Sequence, residues 1–225
     1  MPIRREIFNN EEYYHTYNRS FNKKIIFSRE RDKIRFIQLI KFCQLKVGCK
    51  YSYWSRQTSK RQLEIIESVK ENSGFIVKVI AYCVMPNHFH LLLQQLTDNG
   101  IIQMMTKLTN AYAHFFNLKY RGIGPVFEGR FKTVAVNSNE QLLHLSRYIH
   151  LNPYSAGMIA KKEIVNYLFS SLGEFINEGG GEVVFPEIIL NQFKNKQKYL
   201  DFVLDNADYQ RELQIIKQQL IDIER

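Results

Sequence analysis

The chain has 225 residues, of which 45% are hydrophobic, and a formal net charge of +9. This composition is typical of a globular protein, and the lack of any run of about 18 apolar residues excludes a hydrophobic transmembrane helix. The first residues soon become charged and form no apolar signal core, and the three cysteines include no CxxC pair. We therefore expect a cytoplasmic protein with reduced thiols and no membrane partner.

The positive charge is concentrated in one part of the chain. Residues 182–225 contain six basic and eight acidic residues, whereas residues 1–181 contain 25 basic and 14 acidic residues. A basic, aromatic-rich segment predicts a polyanionic partner, most simply nucleic acid, which would make the protein nucleoid-associated when it is bound to DNA. The alternative is a soluble basic protein without such a partner.

Hydrophobic periodicity predicts a regular alternation of strands and helices. In chain order the elements are a strand (Tyr13–Ser20), a helix (Arg29–Val47), a polar insertion (50–73) with a helix over Lys60–Glu71, a hairpin (Gly74–Val84 and His88–Gln95), a helix (Gly100–Tyr120) and a strand (Phe131–Val136).

A third main helix is predicted to open at Ser138, because Gln141 three residues later completes a capping box. We expect it to run to about Leu151 and to stop before Pro153, which disfavours helical continuation. The order β-α-β-β-α-β predicts an α+β fold of the ferredoxin-like (split βαβ) type, an antiparallel sheet with helices on one face.

The end of the chain is predicted to form a separate C-terminal helical extension over residues 182–225. Three consecutive glycines at 179–181 indicate a flexible break. Beyond them, apolar residues recur at helical spacing, at Leu213, Ile216, Leu220 and Ile223. We therefore expect residues 1–178 to form one domain, with the insertion at 50–73 inside it.

Two histidines separated by one residue are the most informative local feature. His88 and His90 follow a Met-Pro-Asn turn, so both lie at the start of a predicted strand. Successive strand residues point to opposite faces, so the two imidazoles share one face and can reach the same metal ion. The alternative is a His-X-His strand that binds nothing, which is the common case for this tripeptide alone.

The predicted helix after Ser138 offers a second set of functional groups. His144, Tyr148 and Asn152 are four residues apart and form one row on its surface. A tyrosine can act as a covalent nucleophile, and the amide oxygen of Asn152 is a plausible metal ligand beside two imidazoles. Alternatively, Tyr148 packs in the core and Asn152 merely ends the helix before Pro153.

The combination of these motifs resembles the single-tyrosine HUH transposases, and among them the REP-associated tyrosine transposase branch. The resemblance is carried by His88-Phe89-His90 after Met-Pro-Asn and by the sequence Tyr-Ile-His-Leu-Asn-Pro at 148–153. Further matches are Tyr17-Asn18-Arg19 and the segment Gly124–Lys132, and the resemblance covers residues 13–160.

The resemblance implies an HUH endonuclease domain that nicks and rejoins single-stranded DNA beside a folded hairpin, as in DNA transposition and recombination. In that family the tyrosine forms a 5′-phosphotyrosine intermediate and releases a 3′-hydroxyl. Carried over residue by residue, Tyr148 is the catalytic nucleophile, and His88, His90 and Asn152 bind a divalent metal, Mg²⁺ or Mn²⁺. Many relatives have Gln where this chain has Asn152. Relatives act as monomers or homodimers.

Three basic residues near these motifs, Arg19, Arg130 and Lys132, are expected to hold DNA phosphates, with a solvated basic face as the alternative. Phe127 and Phe131 are expected to pack in the core rather than to stack on bases.

Two other functions fit part of the pattern. One is a domesticated binder of structured DNA or RNA that does not cleave, and the other is a metalloprotein acting on small molecules.

Overall fold

The computed structural model describes residues 7–71, 74–177 and 183–214. The strands are β1 (Tyr13–Arg19), β2 (Val77–Val84), β3 (His88–Gln95) and β4 (Lys132–Val136). The helices are α1 (Glu30–Cys43), α2 (Tyr51–Trp54), α3 (Ser59–Glu71), α4 (Gly100–Tyr120), α5 (Asn139–Ser155), α6 (Leu172–Ile176), α7 (Glu187–Leu190) and α8 (Lys196–Asp205). Among the described residues, no helix is long and apolar enough to cross a membrane.

The four strands form one antiparallel sheet in the order β2-β3-β1-β4. This order follows from two β-α-β units in which each helix carries the chain over a neighbouring strand, as in ferredoxin-like folds. The predicted fold class is therefore confirmed. In the central pair, Tyr17 lies opposite His90 and Arg19 lies opposite His88. Directly opposed residues share a face, so the register decides which side chains surround the histidines.

Helices cover both faces of the sheet. On one face, the Phe36 ring of α1 lies 4.8 Å from the Phe89 ring of β3 and 5.1 Å from the Tyr112 ring of α4, measured between ring centroids. These contacts place α1 and α4 together against one side, as the ferredoxin-like prediction requires. Helix α5 lies on the other side, where Tyr148 contacts His90. The histidines are thus enclosed between the sheet and α5.

The predicted insertion is attached to the domain through aromatic side chains. Tyr51 and Trp54 of α2 are buried, and their rings lie 5.3 and 5.5 Å from the ring of Phe42 in α1. The guanidinium of Arg35 lies 4.1 Å from the centre of the Tyr51 ring. Such edge-on and tilted aromatic contacts, together with the cation–π contact, fix a short polar segment that lacks a core of its own.

Two predicted helix ends are wrong. Helix α1 ends at Cys43 rather than Val47, because the chain turns to pair with the segment before β2: Leu45 and Phe75 form a β-bridge.

Helix α5 continues through Pro153 to Ser155 instead of stopping near Leu151. A proline removes one N–H donor, but the residues around it are buried against the rest of the protein, and this packing outweighs the lost hydrogen bond. The predicted start holds, since the Ser138 hydroxyl accepts from the Gln141 N–H.

The C-terminal segment packs against α5. His150 of α5 is buried, and its two ring nitrogens bond the hydroxyls of Ser171 and Tyr199 at 2.8 Å each. Further along, the phenol of Tyr154 donates to Asp208 at 2.6 Å. Residues 207–214 are helical, as the periodicity predicts. The glycine break at 179–181 and the remainder of the predicted repeat, Ile216, Leu220 and Ile223, lie outside the described residues.

The buried imidazole of His150 makes the stability of the fold depend on pH. Burial lowers its pKa from 6.5 to about 3. At pH values between 3 and 6.5, the unfolded chain binds a proton at His150 that the folded protein excludes. The stability contributed by the neutral imidazole is therefore fully present above pH 6.5 and is lost as the pH falls toward 3. We expect this residue to contribute a slope of at most about 1.4 kcal/mol per pH unit to the free energy of unfolding.

Denaturant unfolding at a series of pH values measures this slope. The variant His150→Gln should show a shallower pH dependence than the original protein. The matched variant His144→Gln, which changes an exposed histidine of the same helix, should keep the original slope. An unchanged slope in His150→Gln would contradict the assignment.

Candidate functional site

The turn before β3 fixes the first histidine. The N–H of Met85 donates to the carbonyl of His88 at 2.8 Å, which closes the turn between β2 and β3. The N–H of Ser20 donates to the carbonyl of Asn87 at 2.8 Å and attaches this turn to the end of β1. His88 and His90 lie on the face that α5 covers, with ring centroids 5.1 Å apart. The prediction that they share a face is confirmed by the register of β3.

A third imidazole joins the pair. His15 of β1 is stacked on His90, and its Nε2 lies 3.0 Å from Nδ1 of His90. Sequence reasoning missed His15. Its even spacing from Tyr17 and Arg19 was a weak signal, but only the strand register shows that this face meets the His88–His90 face.

Each histidine of the pair has its Nδ1 engaged by a neighbour. The Nδ1 of His88 lies 2.7 Å from Oδ1 of Asn87, so the ring donates there. The Nδ1 of His90 is paired with His15. In both rings Nε2 is therefore the nitrogen that remains for a metal, and the hydrogen bond at the other nitrogen fixes the orientation of the ring.

The three imidazoles are uncharged at neutral pH. Burial lowers the pKa of His15 to about 4, and burial together with the charge of Arg19 lowers the pKa of His88 to about 4. Burial and the two neighbouring imidazoles lower the pKa of His90 well below 6.5. A neutral ring keeps the lone pair that metal coordination needs.

Helix α5 brings Tyr148 to the same place. The Tyr148 ring lies 5.7 Å from the His90 ring and 6.2 Å from the His15 ring, both edge-on. Burial raises the pKa of the Tyr148 phenol, and the Asn152 amide partly offsets this rise. The phenol is therefore protonated at neutral pH, and a nucleophilic role requires help with its proton.

Asn152 is buried one helical turn beyond Tyr148. Its side-chain N–H donates to the backbone carbonyl of Tyr148 at 2.8 Å, so its amide oxygen is the atom left for a metal. The same carbonyl accepts from the side chain of Gln210, at 3.2 Å. Gln210 comes from the C-terminal segment and was not predicted to take part in the site.

The other tyrosines near the motifs are engaged elsewhere. Tyr82 is buried, and its phenol donates to Glu174 at 2.8 Å. Tyr154 lies inside α5, because the helix continues past Pro153, and its phenol donates to Asp208. His150 faces away from the site, as its position on the helix predicts.

The three predicted phosphate-binding residues are exposed. Arg19 forms a 2.9 Å ion pair with Glu128, so a phosphate would have to compete with this carboxylate. Lys132 lies opposite Tyr17 in the sheet and therefore projects from the site face. Phe127 is buried between Phe89 and Tyr112, in agreement with a role in the core.

His88 and His90 form a metal site only if the neutral amide of Asn152 supplies the third ligand. Within residues 7–71, 74–177 and 183–214, no group of three His, Cys, Asp or Glu side chains is arranged to hold a metal. The Nε2 of His15 already faces His90, so His15 does not complete the pair. Two imidazoles and the amide oxygen of Asn152 give a mixed N/O donor set of the kind that holds a divalent metal.

These residues lie in a segment that is similar to a known family. The family model described as IS200-like transposase matches residues 45–152, which include the two histidines, Tyr148 and Asn152. No curated protein matches the chain. A similar solved structure is that of a REP-associated tyrosine transposase bound to a REP hairpin, with 14% identity, a TM-score of 0.49, and coverage of 82% of this chain and 91% of that chain. Over residues 45–152, just under half of its length, this chain is similar to the IS200-like transposases.

Proposed function

We propose that the protein nicks and rejoins single-stranded DNA through a phosphotyrosine intermediate on Tyr148. The observation that carries this proposal is the placement of the Tyr148 ring against His90, on the face that also holds His88. The similarity of residues 45–152 to IS200-like transposases supports DNA as the class of substrate. A hairpin beside the cleavage site and a monomer or homodimer are parts of the same proposal.

In the proposed reaction the Tyr148 oxygen attacks a DNA phosphorus, and the bond from that phosphorus to the 3′-oxygen breaks. Tyr148 loses its proton to solvent, and the departing 3′-oxygen takes one up. The phosphate remains esterified to the tyrosine, so a second 3′-hydroxyl can reverse the step without an external energy source. Arg19, Arg130 and Lys132 hold neighbouring phosphates in this scheme.

His88, His90 and Asn152 would hold a divalent metal, which supplies Lewis-acid polarisation of the phosphate oxygens when it is bound. His15 and Asn87 keep the Nδ1 atoms of the two histidines occupied, and this leaves both Nε2 atoms for that task. We also propose that residues 1–178 are the catalytic domain and that the extension at 182–225 supports α5.

A second candidate is a domesticated binder that holds structured DNA or RNA without cleaving it. Burial of the Tyr148 phenol favours this candidate, because a raised pKa makes the hydroxyl a weaker nucleophile at neutral pH. The two candidates differ in one measurable property, a covalent bond between Tyr148 and the nucleic acid.

Tyr148→Phe should separate them. The change removes only the hydroxyl, so folding and DNA affinity should stay within about twofold, while nicking and the covalent adduct should disappear. Mass spectrometry of the adduct trapped on a hairpin oligonucleotide with Mn²⁺ identifies the attached residue. Tyr154→Phe is the matched control and should retain the adduct. An adduct that persists in Tyr148→Phe, or none from the original protein, would favour another nucleophile or the binder.

The double variant His88→Ala, His90→Ala tests the metal site. We expect it to lose Mn²⁺ binding, measured by titration calorimetry, together with metal-dependent cleavage, because two of the three proposed ligands are gone. The control replaces the exposed His114 and His144 with alanine and should bind Mn²⁺ normally. Unchanged Mn²⁺ affinity in the first variant would place the metal elsewhere.

The basic residues should make DNA binding depend on salt. Each phosphate neutralised on a single strand contributes a slope of about −0.7 in a plot of log affinity against log salt concentration. Replacing Arg19, Arg130 and Lys132 with alanine should therefore reduce the slope by about 2. Replacing the exposed Lys60, Lys162 and Lys194 should leave it unchanged. A hairpin-flanked single strand should bind more tightly than a blunt duplex, and equal affinities would refute that selectivity.

A further inference from the structure

The turn that follows β1, residues 20–25, has an unusual backbone. Asn22 and Lys23 both have positive φ angles, of 53° and 54°. Asparagine tolerates this left-handed conformation, but lysine adopts it rarely, so the local sequence does not favour the turn. Three hydrogen bonds within the turn hold it. The N–H of Lys23 donates to the Ser20 carbonyl and the N–H of Lys24 to the Phe21 carbonyl, both at 3.2 Å, and the Ser20 hydroxyl donates to the Lys24 carbonyl at 2.5 Å. Strained turns of this kind are concentrated at functional sites.

The turn presents an aromatic ring to solvent. Phe21 is 46% exposed and lies outside the hydrophobic core formed by the described residues. Its backbone is nevertheless fixed, because its N–H donates to the carbonyl of Val126 at 2.9 Å. An aromatic ring on a fixed backbone loses little conformational entropy when a flat ligand stacks on it.

The chain segment that carries this ring is basic, although Arg19 is already paired with Glu128. Residues 19–27 contain Arg19, Lys23 and Lys24 and no acidic residue. All three basic side chains are exposed. A protruding aromatic ring among cations is the arrangement that single-stranded nucleic acids meet in their binding proteins, where bases stack on rings and phosphates contact lysine and arginine.

The turn is joined to the candidate site through Asn87. The amide of Asn87 donates from Nδ2 to the carbonyl of Lys23 at 3.3 Å, while its Oδ1 contacts the His88 ring at 2.7 Å. Phe21 also follows Arg19 by two residues, a span of at most about 7 Å along the chain. Arg19 itself lies opposite His88 in the sheet. A nucleotide at the turn therefore lies next to a strand held at the histidines.

We propose that the turn at residues 20–25 is a binding site for an unpaired nucleobase, with Phe21 as the stacking surface and Lys23 and Lys24 contacting the adjoining phosphates. The proposal rests on the proposed function for its ligand, single-stranded DNA. It adds a site that recognises the base by stacking, outside the residues that carry the chemistry. A duplex keeps its bases stacked on each other, so it cannot offer a free face to Phe21.

Fluorescence of Phe21→Trp in a Tyr148→Phe background tests the contact directly. The chain has one other tryptophan, Trp54, which is buried and gives a constant background. We expect short oligothymidylate to quench the new tryptophan, and a blunt duplex or a strand of abasic nucleotides to leave it unquenched. Equal quenching by the abasic strand would overturn the stacking contact.

Affinity measurements on Phe21 variants give the second readout. Phe21→Ala should weaken oligothymidylate binding about tenfold, since a stacked base contributes about 1–3 kcal/mol. Its salt slope should not change, because no phosphate contact is removed. Phe21→Tyr should retain the affinity and Phe21→Leu should lose it. The control Leu168→Ala removes another exposed apolar side chain and should have no effect.

These outcomes are separable from the proposed cleavage. Quenching by oligothymidylate together with the absence of any tyrosyl adduct would keep the stacking site and refute the nuclease. A normal tyrosyl adduct, together with full DNA affinity in both Phe21→Ala and Phe21→Leu, would keep the nuclease and refute the stacking site. Failure of the protein to bind any single strand would overturn the stacking site as well.

Discussion

The antiparallel pairing of β1 with β3 is the constraint on which the candidate site depends. It places Tyr17 opposite His90 and Arg19 opposite His88, and it brings His15 into hydrogen-bonding contact with His90. A shift of one residue would turn His15, Tyr17 and Arg19 to the other face, toward α1 and α4. The register is therefore fixed both by the apolar core on one face and by the imidazole pair on the other.

The second half of the site depends on how α5 is held. The buried imidazole of His150 is satisfied by two residues distant in sequence, Ser171 and Tyr199. A buried polar group without a partner would cost about 1–3 kcal/mol, so this network specifies one docking of the helix. The carbonyl of Tyr148 gains two side-chain donors, Asn152 and Gln210, at the turn where the proposed nucleophile lies. The C-terminal segment is in this sense a structural part of the site.

Local sequence signals predicted the elements of the fold well. Strand β3 and helix α4 begin and end where the periodicity and the flanking turn residues place them, and Ser138 caps α5 as expected. The helix ends at Val47 and Leu151 were wrong because tertiary contacts decided them: the bridge from Leu45 to Phe75, and the burial of the residues around Pro153. Propensity rules describe an isolated helix and carry no information about either contact.

The site was predictable where it rests on alternation along one strand or one helix. His88 with His90, and Tyr148 with Asn152, were assigned in this way. His15, Asn87 and Gln210 could not be found by the same reasoning, because their partners are set by strand register and by the path of the C-terminal segment. The roles of Tyr148 and of the metal-binding residues rest on resemblance and stay predictions. What the family comparison shows is that residues 45–152 are similar to IS200-like transposases.

The link between His150 and Tyr199 has a consequence for the order in which the protein matures. The N-terminal part of a chain leaves the ribosome first, and folding begins on what has emerged. The sheet with its two histidines is complete once β4 has been made, but His150 lacks its phenol partner until α8 follows. The tyrosine helix therefore reaches its final docking only after α8 has been made. A nascent chain that already exposes its basic surface would at that stage still hold Tyr148 loosely.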